Sequence, residues 1–187
     1  FSIRSYIRGF ALLFASTLIS LPATAGFFEI SSGLNYNRSE YDGGSYSWSR
    51  RLGGSFGYNF NDSSTIEFAY QKSFERNHYE GFEDSFYDDQ VYSVNWVQNF
   101  LGKESPVQPY LKLGVGQLVR NASITDSLGR SRVDKLNQVT GVLGAGLKIY
   151  LTKTFALRME GTSYLSGGKL NTWRNNFGLT FGGSLYF

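Results

Sequence analysis

Thr172-Trp-Arg-Asn-Asn-Phe-Gly-Leu-Thr-Phe-Gly-Gly-Ser-Leu-Tyr-Phe187 alternates between two kinds of side chain. One set is Trp173, Asn175, Phe177, Leu179, Phe181, Gly183, Leu185 and Phe187, largely apolar and aromatic. The interleaved set is Arg174, Asn176, Gly178, Thr180, Gly182, Ser184 and Tyr186, small or polar. Successive side chains of a strand point to opposite faces, so the pattern predicts a strand with one oily and one wet side.

Seven more segments show the same alternation upstream. Strands are expected over about 27–39, 48–60, 65–74, 90–101, 109–119, 138–151 and 155–164. In the first, Phe28, Ile30, Leu34 and Tyr36 oppose Glu29, Ser31, Gly33, Asn35 and Asn37. In the sixth, Val139, Leu143, Ala145, Leu147, Ile149 and Leu151 oppose Thr140, Gly144, Gly146 and Lys148. Asn61-Asp-Ser-Ser64 and Thr152-Lys-Thr154 read as tight turns. Glu75–Asp89 and Arg120–Asn137 read as long loops of about fifteen and eighteen residues, alternating with connections of about four, seven and three.

Eight such segments, with short turns at one end and longer loops at the other, predict an all-β, eight-stranded, antiparallel up-and-down transmembrane β-barrel over residues 26–187. A soluble barrel of the lipocalin kind would turn its apolar residues inward. It would not set Lys and Glu opposite the apolar face in nearly every strand. With the short turns at the periplasmic side, Phe28, Phe60, Phe100, Phe155 and Phe187 fall outward at that boundary. Trp48, Phe74 and Trp173 fall outward near the other, so two aromatic girdles are expected.

Residues 1–25 form a different unit. Arg4 and Arg8 precede an apolar run, Phe10–Leu21, and Pro22-Ala-Thr-Ala25 supplies small residues. This is the layout of a signal peptide cleaved after Ala25. The run is too short to span a bilayer comfortably. Among 187 residues the chain carries 18 Lys and Arg against 15 Asp and Glu. Without Arg4 and Arg8, 16 bases face 15 acids, which gives no argument for nucleic acid. There is no Cys, hence no disulfide framework and no thiolate chemistry.

An eight-stranded barrel is just wide enough to be filled by its own side chains. The inward set near the periplasmic end holds Glu29, Glu67 and Glu160 with Lys112, Lys148 and Arg158. Three acids and three bases within an apolar wall are expected to pair and close the lower lumen. The alternative is that each charge sits in lumen water.

The whole expected barrel resembles the small eight-stranded outer-membrane barrels of the OmpA, OmpX and Ail type. Pro109-Tyr-Leu-Lys-Leu-Gly-Val-Gly116 and Phe155-Ala-Leu-Arg-Met-Glu160 are similar to stretches common in that superfamily. Thr180, Gly182, Leu185 and Phe187 fill the places of its C-terminal assembly signal. The resemblance implies the outer membrane of a Gram-negative bacterium as location. It implies outer-membrane lipid, lipopolysaccharide and the barrel-assembly machinery as partners.

The sequence says less about chemistry. No spacing points to a metal, a cofactor or a phosphate loop. The single His, His78, lies near Ser85 and several carboxylates. Lipid A deacylase and palmitoyl transferase barrels use a His with a Ser and an acid. The pairing of His and Ser two apart on a lipid-facing strand end is missing here, so no catalytic residue is expected. The segment Glu75–Asp89 carries Glu75, Glu80, Glu83, Asp84, Asp88 and Asp89 against Arg76, a set that suits hard divalent cations. Arg120–Asn137 has a net charge of +2 and could meet anionic sugar phosphates. The leading expectation is a non-enzymatic barrel in envelope structure or surface interaction through these two segments. A narrow OmpW-like channel for small or apolar solutes is the alternative, favoured by inward Val91 and Val142 and opposed by the charges. A lipid A-modifying enzyme comes third.

Overall fold

The computed structural model describes residues 27–40, 45–79, 84–101, 105–125, 129–168 and 177–187. Within them the chain forms eight strands: β1 (Phe28–Glu40), β2 (Tyr46–Asn59), β3 (Ser64–His78), β4 (Asp84–Asn99), β5 (Val107–Thr125), β6 (Ser131–Tyr150), β7 (Phe155–Ser166) and β8 (Phe177–Tyr186). Each pairs antiparallel with the next, and β8 returns to β1, giving a closed barrel. The strand count and topology are those expected. The signal segment, Trp173 and the start of the closing strand lie outside the described residues.

Local chemistry sets the short turns. After β2 the Asn61 side chain accepts hydrogen bonds from the backbone N–H of Ser63 (2.9 Å) and Ser64 (2.6 Å), an Asx turn that reverses the chain. After β6 the Thr152 hydroxyl does the same for Phe155 (3.0 Å). Beside these turns Phe28 and Phe187 exchange backbone hydrogen bonds of 3.0 and 3.1 Å, which closes the ring.

The barrel is apolar outside and polar inside. Val139 is 70% and Val115 66% exposed on the outer wall, whereas Lys148 is 1% and Glu29 3% exposed within. Water-facing proteins show the reverse. Closing the sheet also leaves no free edge over the paired length, the condition for crossing hydrocarbon with strands.

The loops differ from expectation. Glu75–Asp89 and Arg120–Asn137 are not long loops. β3 runs on to His78 and β4 begins at Asp84, so five residues connect them. β5 and β6 likewise leave five residues, 126–130, between Thr125 and Ser131. Backbone pairing continues through Asn77↔Ser85 and Thr125↔Ser131. Beyond the apolar band both faces of a strand meet water, so polar residues occupy both and the alternation that marks a strand disappears. The ladder needs only backbone N–H and C=O, and it persists.

Candidate functional site in the barrel lumen

Alternation on eight strands brings six charged side chains to one level near the short-turn end. Lys112 of β5 bridges Glu67 of β3 (2.8 Å) and Glu160 of β7 (2.7 Å). Arg158 of β7 joins the same two carboxylates at 2.8 and 2.5 Å and lies 3.7 Å from Glu29 of β1. Lys148 of β6 holds Glu29 at 2.7 Å. All six are buried, and three positive charges meet three negative ones. Neutral groups fill most of the remaining valences, the Glu29 Oε1 being left without a hydrogen bond. Ser31 accepts from Arg158 at 3.0 Å, and Thr162 donates to Glu160 at 2.5 Å. Asn95 donates to Glu67 at 3.3 Å.

Tyr110 belongs to this cluster and escaped the reading of the sequence. Its hydroxyl donates to Glu160 (2.7 Å) and accepts from the Arg158 Nε (2.8 Å). Its ring lies 5.1 Å beneath the Arg158 guanidinium and 5.5 Å from the Lys148 ammonium. The signal was its place two residues before Lys112, which puts both on the lumen side. Gly146 makes room: a β carbon there would lie 2.5 Å from the Tyr110 hydroxyl.

Above this layer Val91, Leu118, Val142 and Tyr164 form a buried apolar cluster. The Tyr164 hydroxyl donates to Gln71 at 2.7 Å. A polar mouth follows. Arg120 grips Asp89 with two hydrogen bonds, 2.7 and 2.6 Å. Arg51 lies over Tyr164, its guanidinium carbon 5.9 Å from the ring centroid. This mouth is a cavity of about 460 Å³.

The other sequence candidates are placed as follows. Phe28, Phe60, Phe100, Phe155 and Phe187 ring the short-turn end, where Phe28 stacks with Phe56 at 5.5 Å and with Phe187 at 6.0 Å. Phe74 sits outward on β3 between Arg50 (5.3 Å) and Lys72 (4.7 Å), and Trp48 lies opposite Arg76 on the β2–β3 ladder. Thr180 and Gly182 face the lumen, and Leu185 pairs with Ile30. The carboxylates of 84–89 do not form a cation cradle. Asp88 pairs with Lys72 (3.5 Å), Asp89 with Arg120, and Asp84 with Arg76 (3.5 Å) and with the His78 ring. Among the described residues no three His or carboxylate groups gather closely enough to hold a metal ion. The His78 ring beside Asp84, at the rim, holds that carboxyl below the usual carboxylate range; slight burial opposes and Arg76 assists.

The geometry agrees with what known proteins show. The outer membrane protein beta-barrel domain family matches residues 10–184. The chain belongs to that family. The N-terminal barrel domain of Pseudomonas aeruginosa OprF superposes with a TM-score of 0.57 at 18% identity, covering 86% of this chain and 96% of that one. Ail of Yersinia pestis gives 0.54 at 16% identity, covering 87% and 99%. Neisserial surface protein A gives 0.50 at 20% identity, covering 86% and 96%. These likenesses show the fold. A search of curated protein sequences finds no significant match. In such outer-membrane barrels the longer excursions beyond the apolar band face outward. Here these are the extended β3–β4 and β5–β6 hairpins, so the end with the Asn61 and Thr152 turns faces the periplasm.

Proposed function

We propose that this protein is a non-enzymatic outer-membrane barrel with a lumen closed by side chains, acting in envelope structure or surface interaction through its extracellular hairpins. One observation carries the reading: the neutral network of Glu29, Glu67, Lys112, Lys148, Arg158 and Glu160 spans the lumen, with Tyr110 within it. A path for solutes would have to break several buried ion pairs at once. What the molecule offers to its surroundings is then its outer end, where the hairpins bearing Glu75–Asp89 and Arg120–Asn137 project. Outer-membrane lipid, lipopolysaccharide and the barrel-assembly machinery are its proposed partners there and during insertion, and residues 1–25 its export signal. Ail has been crystallised with the heparin analogue sucrose octasulfate, a polyanion. Arg130 and Lys135 on the β5–β6 hairpin offer this chain charge of the matching sign.

Two measurements test the proposal. In planar bilayers the refolded barrel is expected to show no steady conductance; a large constant one would overturn the closed lumen. Cells displaying the protein are expected to lose adhesion to a sulfated surface when the β5–β6 tip is shortened. Unchanged adhesion would remove the surface role.

A further inference from the structure

The ring of strands is unevenly closed. β1 and β8 share six register pairs, from Glu29↔Tyr186 to Leu34↔Phe181. β1 pairs with β2 along all thirteen of its residues, and β8 with β7 along nine positions up to Ser163↔Phe177. Among the described residues, both strands therefore run on past Leu34 and Phe181 with no ladder joining them. The Asn35 side-chain amide donates to the Leu179 carbonyl across this gap, so a side chain rather than a backbone ladder spans it. Phe177 and Leu179 lean away from it, over Gly161 of β7.

The gap opens into the extracellular mouth. The 460 Å³ cavity is walled at once by lumen residues, Asn35, Asn37 and Arg51, and by outward ones, Tyr36, Phe177 and Leu179. Tyr36, Phe177 and Leu179 are 62, 50 and 51% exposed on the wall. Open strand edges at membrane depth are tolerated only where they line a polar cavity, which is what lies behind them here. Inside, the Arg51 guanidinium packs on Gly178 of β8, and its buried Nη1 has no hydrogen-bond partner. A buried guanidinium nitrogen left unpaired is uncommon, because it gives up its hydrogen bond to water without replacing it. The carboxylates Glu75 and Asp89 line the same cavity. Below Arg51 the Val91, Leu118, Val142 and Tyr164 layer and the ion-pair network close the floor.

We propose that this lateral seam is a dead-end binding site for a single-chain anionic amphiphile from the outer leaflet. The anionic head reaches Arg51, and the alkyl chain leaves between β1 and β8, past Tyr36 and Leu179, into the surrounding lipid. The ligand class follows from the two ends of the site. The guanidinium selects a carboxylate or phosphate oxygen. The aromatic and aliphatic lips accept one chain, and the sealed floor prevents passage to the periplasm. The reading does not depend on any surface role of the hairpins.

The test uses the refolded mature barrel in zwitterionic phospholipid vesicles with a dansyl-labelled undecanoic acid as probe. Saturable one-to-one binding is expected, displaced by laurate but not by dodecanol or inorganic phosphate. Arg51→Met is expected to weaken binding roughly tenfold or more, the worth of a charge-assisted hydrogen bond. Lys72→Met, on the outer wall, should leave it unchanged. Fold is monitored in every variant by the gel shift between unheated and boiled samples. Should Arg51→Met misfold, a reversible staple decides. Tyr36→Cys with Leu179→Cys, bridged by a short bis-methanethiosulfonate, should lose the probe, and reductant should restore it. Equal binding by wild type, Arg51→Met and the stapled form would overturn the site. So would displacement by dodecanol or inorganic phosphate, or an equal loss on Lys72→Met.

Discussion

The two halves of the lumen solve the same problem in opposite ways. In the periplasmic half every strand is paired to both neighbours, and six charges sit within hydrogen-bond reach of one another. In the extracellular half the β1–β8 ladder has ended, Arg51 keeps an unpartnered nitrogen, and the Arg120–Asp89 pair stands at the mouth, partly exposed. The difference teaches where rigidity is placed. Charges in a dry lumen are tolerable only as a complete set, so the lower half is all or nothing. Charges beside water are individually dispensable, so the upper half is free to vary and to bind.

The sharpest way to break this contrast is to remove one charge from the buried network and one from a water-exposed pair at the upper end. Arg158→Ala leaves Glu67, Glu160 and Glu29 without their shared cation, and a loss of about 3–5 kcal/mol is expected in urea unfolding of the micelle-refolded barrel. Lys72→Ala breaks the partly exposed pair with Asp88 on the outer wall near the rim and should cost less than about 1 kcal/mol. Equal losses would mean that the lower network is as hydrated as the rim. A smaller effect separates the inner wall from the outer. Gly146→Ala drives a methyl into Tyr110 and should cost roughly 1–3 kcal/mol, whereas Gly54→Ala faces outward and should stay within about 0.5 kcal/mol. The smallest effect lies at the rim. The folded Asp84 carboxyl titrates below its unfolded value, so the contact with His78 contributes fully above the ordinary Asp range. That contribution disappears as pH falls through the folded value. Carboxyl NMR should show the Asp84 midpoint moving up in His78→Ala; no movement would detach the two groups.

The fold was legible because a period of two survives wherever one face meets lipid and the other the lumen. Ile66, Phe68 and Tyr70 against Glu67, Ala69 and Gln71 carry that signal without help from any loop. It failed where the environment became the same on both sides. Glu75 to His78 and Asp84 to Asp89 are strand residues with water around them, and nothing in their order says so. In the lumen, parity alone marks Glu29, Glu67, Lys112, Lys148, Arg158 and Glu160 as inward. Which cation meets which carboxylate depends on stagger between strands distant in sequence, such as Lys148 and Glu29, 119 residues apart. Tyr110 was missed because a tyrosine is equally at home on an interfacial wall and in a hydrogen-bonded core. The seam could not be read at all: the uninterrupted alternation of Phe177 to Phe187 gives no hint of where a neighbour stops pairing.

The β5–β6 hairpin has a consequence for whatever approaches the cell. Its nineteen paired positions extend about 60 Å along the strand, or roughly 45 Å after the usual tilt, against an apolar band of about 25 Å. Headgroups take up under about 10 Å of the surplus on one side. The end of this hairpin near Gly129 therefore stands clear of the lipid like a mast, and an antibody or protease arriving from outside meets it before any other of the described residues.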